Sequence, residues 1–221
     1  MKNKTIYLSH TLSEETVGYG GKREFRATQT LSISKGNSCN QSEWQFSNHI
    51  GTHIDAPFHF SNQGLTLDQY PADFWIFNSP QLCVLDVAAS EIIGVGSWCE
   101  EITPQTDLLL LKTGFEAKRE SQDYWAHNPG LSPELGKWLR QHRLNLRLVG
   151  LDFISVTSYD HRPLGKIAHH AFLHESNPGR PLLVVEDMKL SELAGNPNRV
   201  LIAPLRVKSS DGGPVTVLAE L

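Results

Sequence analysis

"SPELGKWLRQHRLNLRLVGLDFISV", residues 132–156, holds a helix and a strand with almost nothing between them. Ser132 suits an N-cap, and Pro133 suits the first helical position, where a missing N–H costs nothing. Leu135, Trp138 and Leu139 then share one face. "LNLRLVGLDFISV" follows at once and reads as a strand. Working outward, similar runs recur: "TIYLSHTL", "FRATQTLSIS", "QLCVLDV", "DLLLLKTG", "PLLVVEDM" and "VLIAPLRV". Several are nearly continuous apolar stretches, as expected of strands covered on both faces. A second helix is expected over "GKIAHHAFLHE", with Ile167, Phe172 and His174 among its contacts. Strands alternating with helices define an α/β fold with a mixed β-sheet flanked by helices. There is no internal repeat, and "ESNPGRP" and "SSDGGP" read as loops, so residues 1–221 are expected to form a single compact domain.

The composition is that of a globular chain with a substantial core: 39% of the 221 residues are hydrophobic and 20% charged. The formal net charge is -4, and the basic residues are scattered, which argues against nucleic acid as a partner. "RQHRLNLR" closes a helix, where positive charge suits the dipole, and reads as a solvated face. Cys39, Cys83 and Cys99 are far apart and odd in number, which fits a reducing compartment. "MKNKTIYLSHTLSEE" lacks the apolar run of a signal peptide, and no segment approaches a membrane span. A cytoplasmic protein that makes no membrane contact is expected.

The chemistry is concentrated in "SNHIGTHIDAPFHF", residues 47–60. His49, His53, Asp55 and His59 all occupy odd positions, which share a face on an extended chain, opposite Ile50, Ile54, Phe58 and Phe60. A straight strand would hold His49 and His53 roughly 13 Å apart. Gly51 permits a kink that closes this gap, while Ala56 and Pro57 argue against helix further on. The segment is therefore expected to bend and aim its polar face into one pocket. Three imidazoles and a carboxylate converging there suit a divalent ion such as zinc or manganese. Asp55 is the natural bridge of a two-ion site, since a carboxylate has two oxygens to share. The plain alternative, polar side chains satisfied by backbone at a turn, is disfavoured by four such groups at this density. Further ligands must come from elsewhere, and "AHHAFLHESNPGRPLLVVEDM" offers His169, His170, His174, Glu175 and Glu186. Glu186 ends an apolar strand and so is placed to project into a site.

"HIGTHIDAPFH" resembles the H-x-G-T-H-x-D-x-P-x-H signature of the cyclase-like metal-dependent hydrolases, which include bacterial kynurenine formamidase and isatin hydrolase. "KTGFEAKRESQDYWAHNPGLSPELGKWLRQHRLNLRLVGLDFISV", "AHHAFLHESNPGRPLLVVEDMKLSEL" and "IAPLRVKSSDGGPV" resemble that family's later blocks, in order. The resemblance implies that His49, His53 and Asp55 bind one divalent ion. It implies that Asp55 bridges to a second, completed by His169 and Glu186, with His59 as the acid/base. His169 rather than His170 aligns with the family's H-x-x-L-L pattern. A partly barrel-like sheet and a homo-oligomer are implied in the same way.

The implied activity is hydrolysis of a small-molecule amide, an arylformamide or a lactam, by water activated between two ions of zinc or manganese. A lactone or ester is the neighbouring possibility, and a non-catalytic metal- or small-ligand-binding protein on the same scaffold is the alternative from another class. His59 separates the two classes, because storage of metal needs no proton carrier. The chain departs from the formamidases after its first strand, where "SEETVGYGGKREFRATQ" has Tyr19 and Phe25 in place of a Pro/Trp-rich stretch. Thr216 stands where relatives often carry an arginine, and Tyr124 and Trp125 are candidates for a pocket wall or for core.

Overall fold

The computed structural model describes residues 4–221. Its centre is a set of parallel strands: β6 (Pro80–Val84), β8 (Leu108–Lys112), β10 (Leu148–Leu151) and β11 (Leu183–Glu186). Parallel neighbours need a crossover, and α-helices supply two of the three here. α2 (Pro133–His142) links β8 to β10, after a short α1 (Asp123–Ala126), and α3 (Arg162–Leu173) links β10 to β11. The sheet then turns antiparallel through β4 (His53–Asp55), β13 (Gly212–Glu220), β12 (Arg199–Pro204) and β5 (Ile76–Phe77), while β1 (Thr5–Tyr7) also pairs with β13. The result is one α/β domain with a nearly closed, barrel-like mixed sheet. A separate hairpin, β2 (Phe25–Leu31) with β3 (Gln41–Phe46), and a small pair, β7 (Ile92–Ile93) with β9 (Gly130–Leu131), complete it.

"LLLL" in β8 shows why these runs are continuous rather than alternating. Leu109 and Leu111 face a core shared with Leu135, Leu139 and Phe172 of the helices, whereas Leu108 and Leu110 face the barrel interior with Ile54, Ile202 and Val217. The helix after β9 begins as its sequence dictates, with the Ser132 hydroxyl accepting from the Leu135 N–H at 3.1 Å.

Several expectations are corrected. Ile167 points outward, 56% exposed, and the inner face of α3 is made by Ala168, Ala171 and Phe172, while His174 lies just past the helix end. Arg140 is buried rather than solvated. Its guanidinium donates to the carbonyls of Ala171, Phe172 and His174 at the end of α3, and to those of Asn177 and Gly179 beyond. The contacts at the end of α3 meet carbonyls of the kind that a helix leaves without intrahelical partners at its C-terminus. "SSDGGP" is loop only as far as Asp211, because Gly212 already opens β13. β3, "QSEWQF", has no apolar run to announce it, since nearly all of it is exposed. Among the described residues no helix is long and apolar enough to cross a membrane.

Leu110→Ala leaves a hole on the inner face of the central sheet and should lower stability by about 2–5 kcal/mol in urea unfolding. Leu144→Ala, at a side chain that is 68% exposed, should stay within about 0.5 kcal/mol of the parent.

Candidate metal centre

Strand β4 lies between β11 and β13, and its register sets the site. His53 sits directly opposite Glu186 on β11, and Asp55, two residues along on the same face, lies opposite Gly212 of β13. His49 returns to this face because the chain kinks at Gly51, whose φ of 62° places it in the left-handed region. Ala56 is extended as a residue before proline should be, but Pro57 then starts a one-turn 3-10 helix, Pro57–His59, that swings His59 over the cluster. Turn geometry therefore replaces the expected absence of helix there. Ile50 and Ile54 are buried as the alternation predicts, whereas Phe60 leaves it and stacks on the His169 ring, with centroids 4.8 Å apart. His169 descends from α3.

The structure brings His49, His53, Asp55, His169 and Glu186 into one cluster. Asp55 divides its oxygens: Oδ1 lies 2.8 Å from His49 Nδ1 and 3.6 Å from His53 Nε2, while Oδ2 lies 3.7 Å from His169 Nε2. Glu186 divides likewise, with Oε2 3.4 Å from His53 Nε2 and Oε1 3.4 Å from His169 Nε2. The donor atoms of His49, Asp55 and His59 lie within 4.8 Å of one another, as do those of His53, Asp55 and Glu186, so two groups share the Asp55 carboxylate. The far side of each ring is tied down. His53 Nδ1 faces the Gly51 carbonyl at 2.8 Å and His169 Nδ1 faces the Gly165 carbonyl at 2.9 Å, so Nδ1 carries the proton in both and Nε2 is left for an ion. Glu186 Oε1 accepts from the Val156 N–H at 2.7 Å and the Ser155 hydroxyl at 3.1 Å.

The residue after Glu186 fixes the direction of its strand end. Asp187 has a φ of 53°, uncommon for a residue with a side chain. Arg119 grips its carboxylate through Nε and Nη2, at 2.8 and 2.7 Å, and the Tyr124 hydroxyl adds a third bond at 2.5 Å. Tyr124 is thus a core residue, and Trp125 packs against the core too. His170 and His174 stack on each other, and neither joins the cluster; Glu175 instead accepts from the Ser61 hydroxyl.

Asp211 was hidden inside a turn-like sequence. Its Oδ2 lies 2.9 Å from His49 Nε2 and 2.9 Å from His59 Nδ1, and its Oδ1 accepts from Asn48 Nδ2 at 2.7 Å. The only sequence signal was an acidic residue beside a Gly-Gly pair, which is indistinguishable from an ordinary turn. The cluster opens into a cavity of about 280 Å³ whose wall includes Val17, Tyr19, Phe60 and Ile154 and, among the described residues, no lysine or arginine. A hollow of about 980 Å³ between the hairpin and the end of β12 contains none of the cluster, and Phe25 and Thr216 line that one instead.

Charge follows burial and contact. Burial works to lower the His49 pKa, but the Asp55 and Asp211 carboxylates outweigh it and raise it to about 9. Burial opposes the charged forms of His53 and His169 as well, and their carboxylate partners again prevail in raising both. Burial pushes Asp211 upward, and hydrogen bonds from His49 and His59 bring it down to about 2. Glu186 is likewise held below its usual range, by His169 and His53 against burial.

The family model "Cyclase" matches residues 6–158, and the chain belongs to the cyclase family. A kynurenine formamidase from Bacillus anthracis is 28% identical over 213 residues, covering 96% of this chain and 95% of that one. Among solved structures, isatin hydrolase A from Labrenzia aggregata superposes with a TM-score of 0.79 at 21% identity, over 99% of this chain and 94% of the other. A protein described as a potential metal-dependent hydrolase with cyclase activity superposes with a TM-score of 0.72 at 20% identity, over 99% and 98% of the two chains. The barrel-like fold implied by the sequence resemblance is therefore the fold of this chain.

With His49 raised from 6.5 to about 9 in the protein free of metal, its pairing stabilises the fold fully below pH 6.5 and is lost as pH rises through 9. The melting temperature of chelator-treated protein should accordingly fall between those values. A flat profile over that window would contradict the ion pairing.

Proposed function

We propose that the protein is a metal-dependent hydrolase of small-molecule amides. The observation that carries this reading is Asp55, one buried carboxylate whose Oδ1 faces His49 and His53 and whose Oδ2 faces His169. His49 Nδ1, His53 Nε2 and Asp55 Oδ1 would hold one divalent ion, and Asp55 Oδ2, His169 Nε2 and Glu186 a second. The donors fit: three imidazole nitrogens and two carboxylates, with the tautomers of His53 and His169 already set, suit zinc or manganese. Ions bound there supply Lewis acidity toward a carbonyl oxygen and make water acidic enough to deprotonate near neutral pH.

The remaining work falls to the chain itself. His59 stands at the edge of the cluster, its ring centroid 4.1 Å from that of His49, with a side chain 30% exposed and so open to the cavity. Its Nδ1 is engaged by Asp211, which leaves Nε2 to take a proton as water attacks the carbonyl carbon and the C–N bond later breaks. That same nitrogen returns the proton to the departing amine, which is too basic to leave as an anion. The cavity's 280 Å³ admits a compact substrate such as an arylformamide or a lactam. The formamidase and isatin hydrolase relatives support that pair of substrates. Three unpaired cysteines support a cytoplasmic setting.

Metal content and turnover on formanilide and isatin test this directly. Asp55→Ala should lose both metal and activity, whereas His59→Ala should keep most of its metal while kcat falls about 10²–10⁴-fold. Full activity in His59→Ala, or no ion retained after loading with zinc or manganese, would remove the mechanism.

We further propose that the chain works as a homo-oligomer. The β2–β3 hairpin stands almost wholly exposed, with Trp44 at 70% and Ile33 at 59%, and an isolated two-stranded hairpin is marginal in water. A second copy covering it would supply the missing packing. Trp44→Asp should shift the protein toward monomer in size-exclusion chromatography with light scattering. A monomeric parent would end the idea.

A further inference from the structure

We propose that Asp211 is a positioning residue that fixes the tautomer of His59, so that this ring presents Nε2 to a proton while the same carboxylate oxygen holds the neighbouring His49 ring in place. The inference about proton transfer rests on the amide-hydrolase reading above; the inference about tautomers does not. A neutral imidazole carries one N–H, and a carboxylate only accepts. His49 meets a carboxylate at each nitrogen, Asp211 Oδ2 at Nε2 and Asp55 Oδ1 at Nδ1, 2.9 and 2.8 Å away, so Asp211 holds that ring without choosing its tautomer. The same oxygen faces Nδ1 of His59, which places the proton there and bares Nε2. A single atom thus holds the two rings in a fixed relation, tilted at 33° with centroids 4.1 Å apart.

Asp211 is itself firmly held. Its other oxygen accepts from Asn48 Nδ2 at 2.7 Å, and its backbone carbonyl accepts from the Ala56 N–H at 2.9 Å, anchoring it to the segment that carries the ligands. The approach also depends on the next residue. A Cβ at Gly212 would lie 2.5 Å from His49 Cε1 and 2.7 Å from the Ile54 carbonyl, so any side chain there would push the ring away. "DGG" therefore supplies both the acceptor and the clearance that His49 needs.

The test uses zinc-loaded protein with ¹⁵N-labelled histidine rings, whose long-range ¹H–¹⁵N spectra report which ring nitrogen bears hydrogen. The parent should show His59 as Nδ1–H, and Asp211→Ala should lose that form. Unchanged spectra in Asp211→Ala would overturn the assignment. Formanilide kinetics provide a second readout. Asp211→Ala should lower kcat about a hundred-fold with KM within about two-fold, and cost less than about two-fold when His59 is already alanine. A full-sized cost in the His59→Ala background would show that Asp211 does not act through His59. If the alanine variant does not fold, Asp211→Asn takes its place in the same cycle, with a kcat about ten-fold down because a neutral acceptor is weaker. Absence of turnover by the zinc-loaded parent counts against the amide reading alone, and the spectra still decide on Asp211.

Discussion

Two buried carboxylates on adjacent strands govern this structure. Asp55 is 1% exposed and Glu186 4% exposed, and each ionised carboxylate costs several kcal/mol to take out of water unless positive charge meets it. In the protein free of metal the neighbouring histidines meet that need, and carboxylate contact raises His49, His53 and His169 against the pull of burial. Divalent ions would meet the same need more completely. The demand of these two carboxylates for positive charge is what suits the cluster to cations.

The fold serves this pocket by putting a three-residue strand where two different pairings meet. β4 is hydrogen-bonded to β11 on one side and to β13 on the other, so His53 and Asp55 are fixed from both edges. The pleat then aims both into the pocket while Ile54 points to the barrel core. Glu186 depends on a less comfortable device. Its successor, Asp187, holds a positive φ under the grip of Arg119 and Tyr124, and strain of this kind persists only where surrounding contacts over-determine it.

Much of this was legible because local chemistry and global fold agree. The capped helix at Ser132, the glycine kink at Gly51 and the alternation around His53 and Asp55 each rest on neighbours in sequence, and the structure shows each of them. What escaped was long-range or disguised. The Asp-Gly-Gly of residues 211–213 reads as a turn, yet Gly212 and Gly213 lie in a strand, and Gly212 serves the close approach of His49 rather than bending. Arg140 reads as a surface cation because its partners are carbonyls of a helix far along the chain. Phe60 sits one residue beyond the 3-10 turn, where strand alternation no longer applies.

The contact between His49 and Asp211 spans 162 residues of chain, and that between His53 and Glu186 joins strands from opposite halves of the sequence. Assembly of the site thus waits on strand pairings with a high loop-closure cost, the kind that slows folding. Until β11 and β13 dock, His49, His53 and His59 form a loose local chelator, as any unfolded histidine cluster does. Metal captured at that stage binds the unfolded chain as well as the folded one, which reduces its stabilising effect. The two-strand clamp on β4 is what converts a sticky peptide into a selective cavity, so the timing of metal supply relative to folding bears on how much protein reaches the native state.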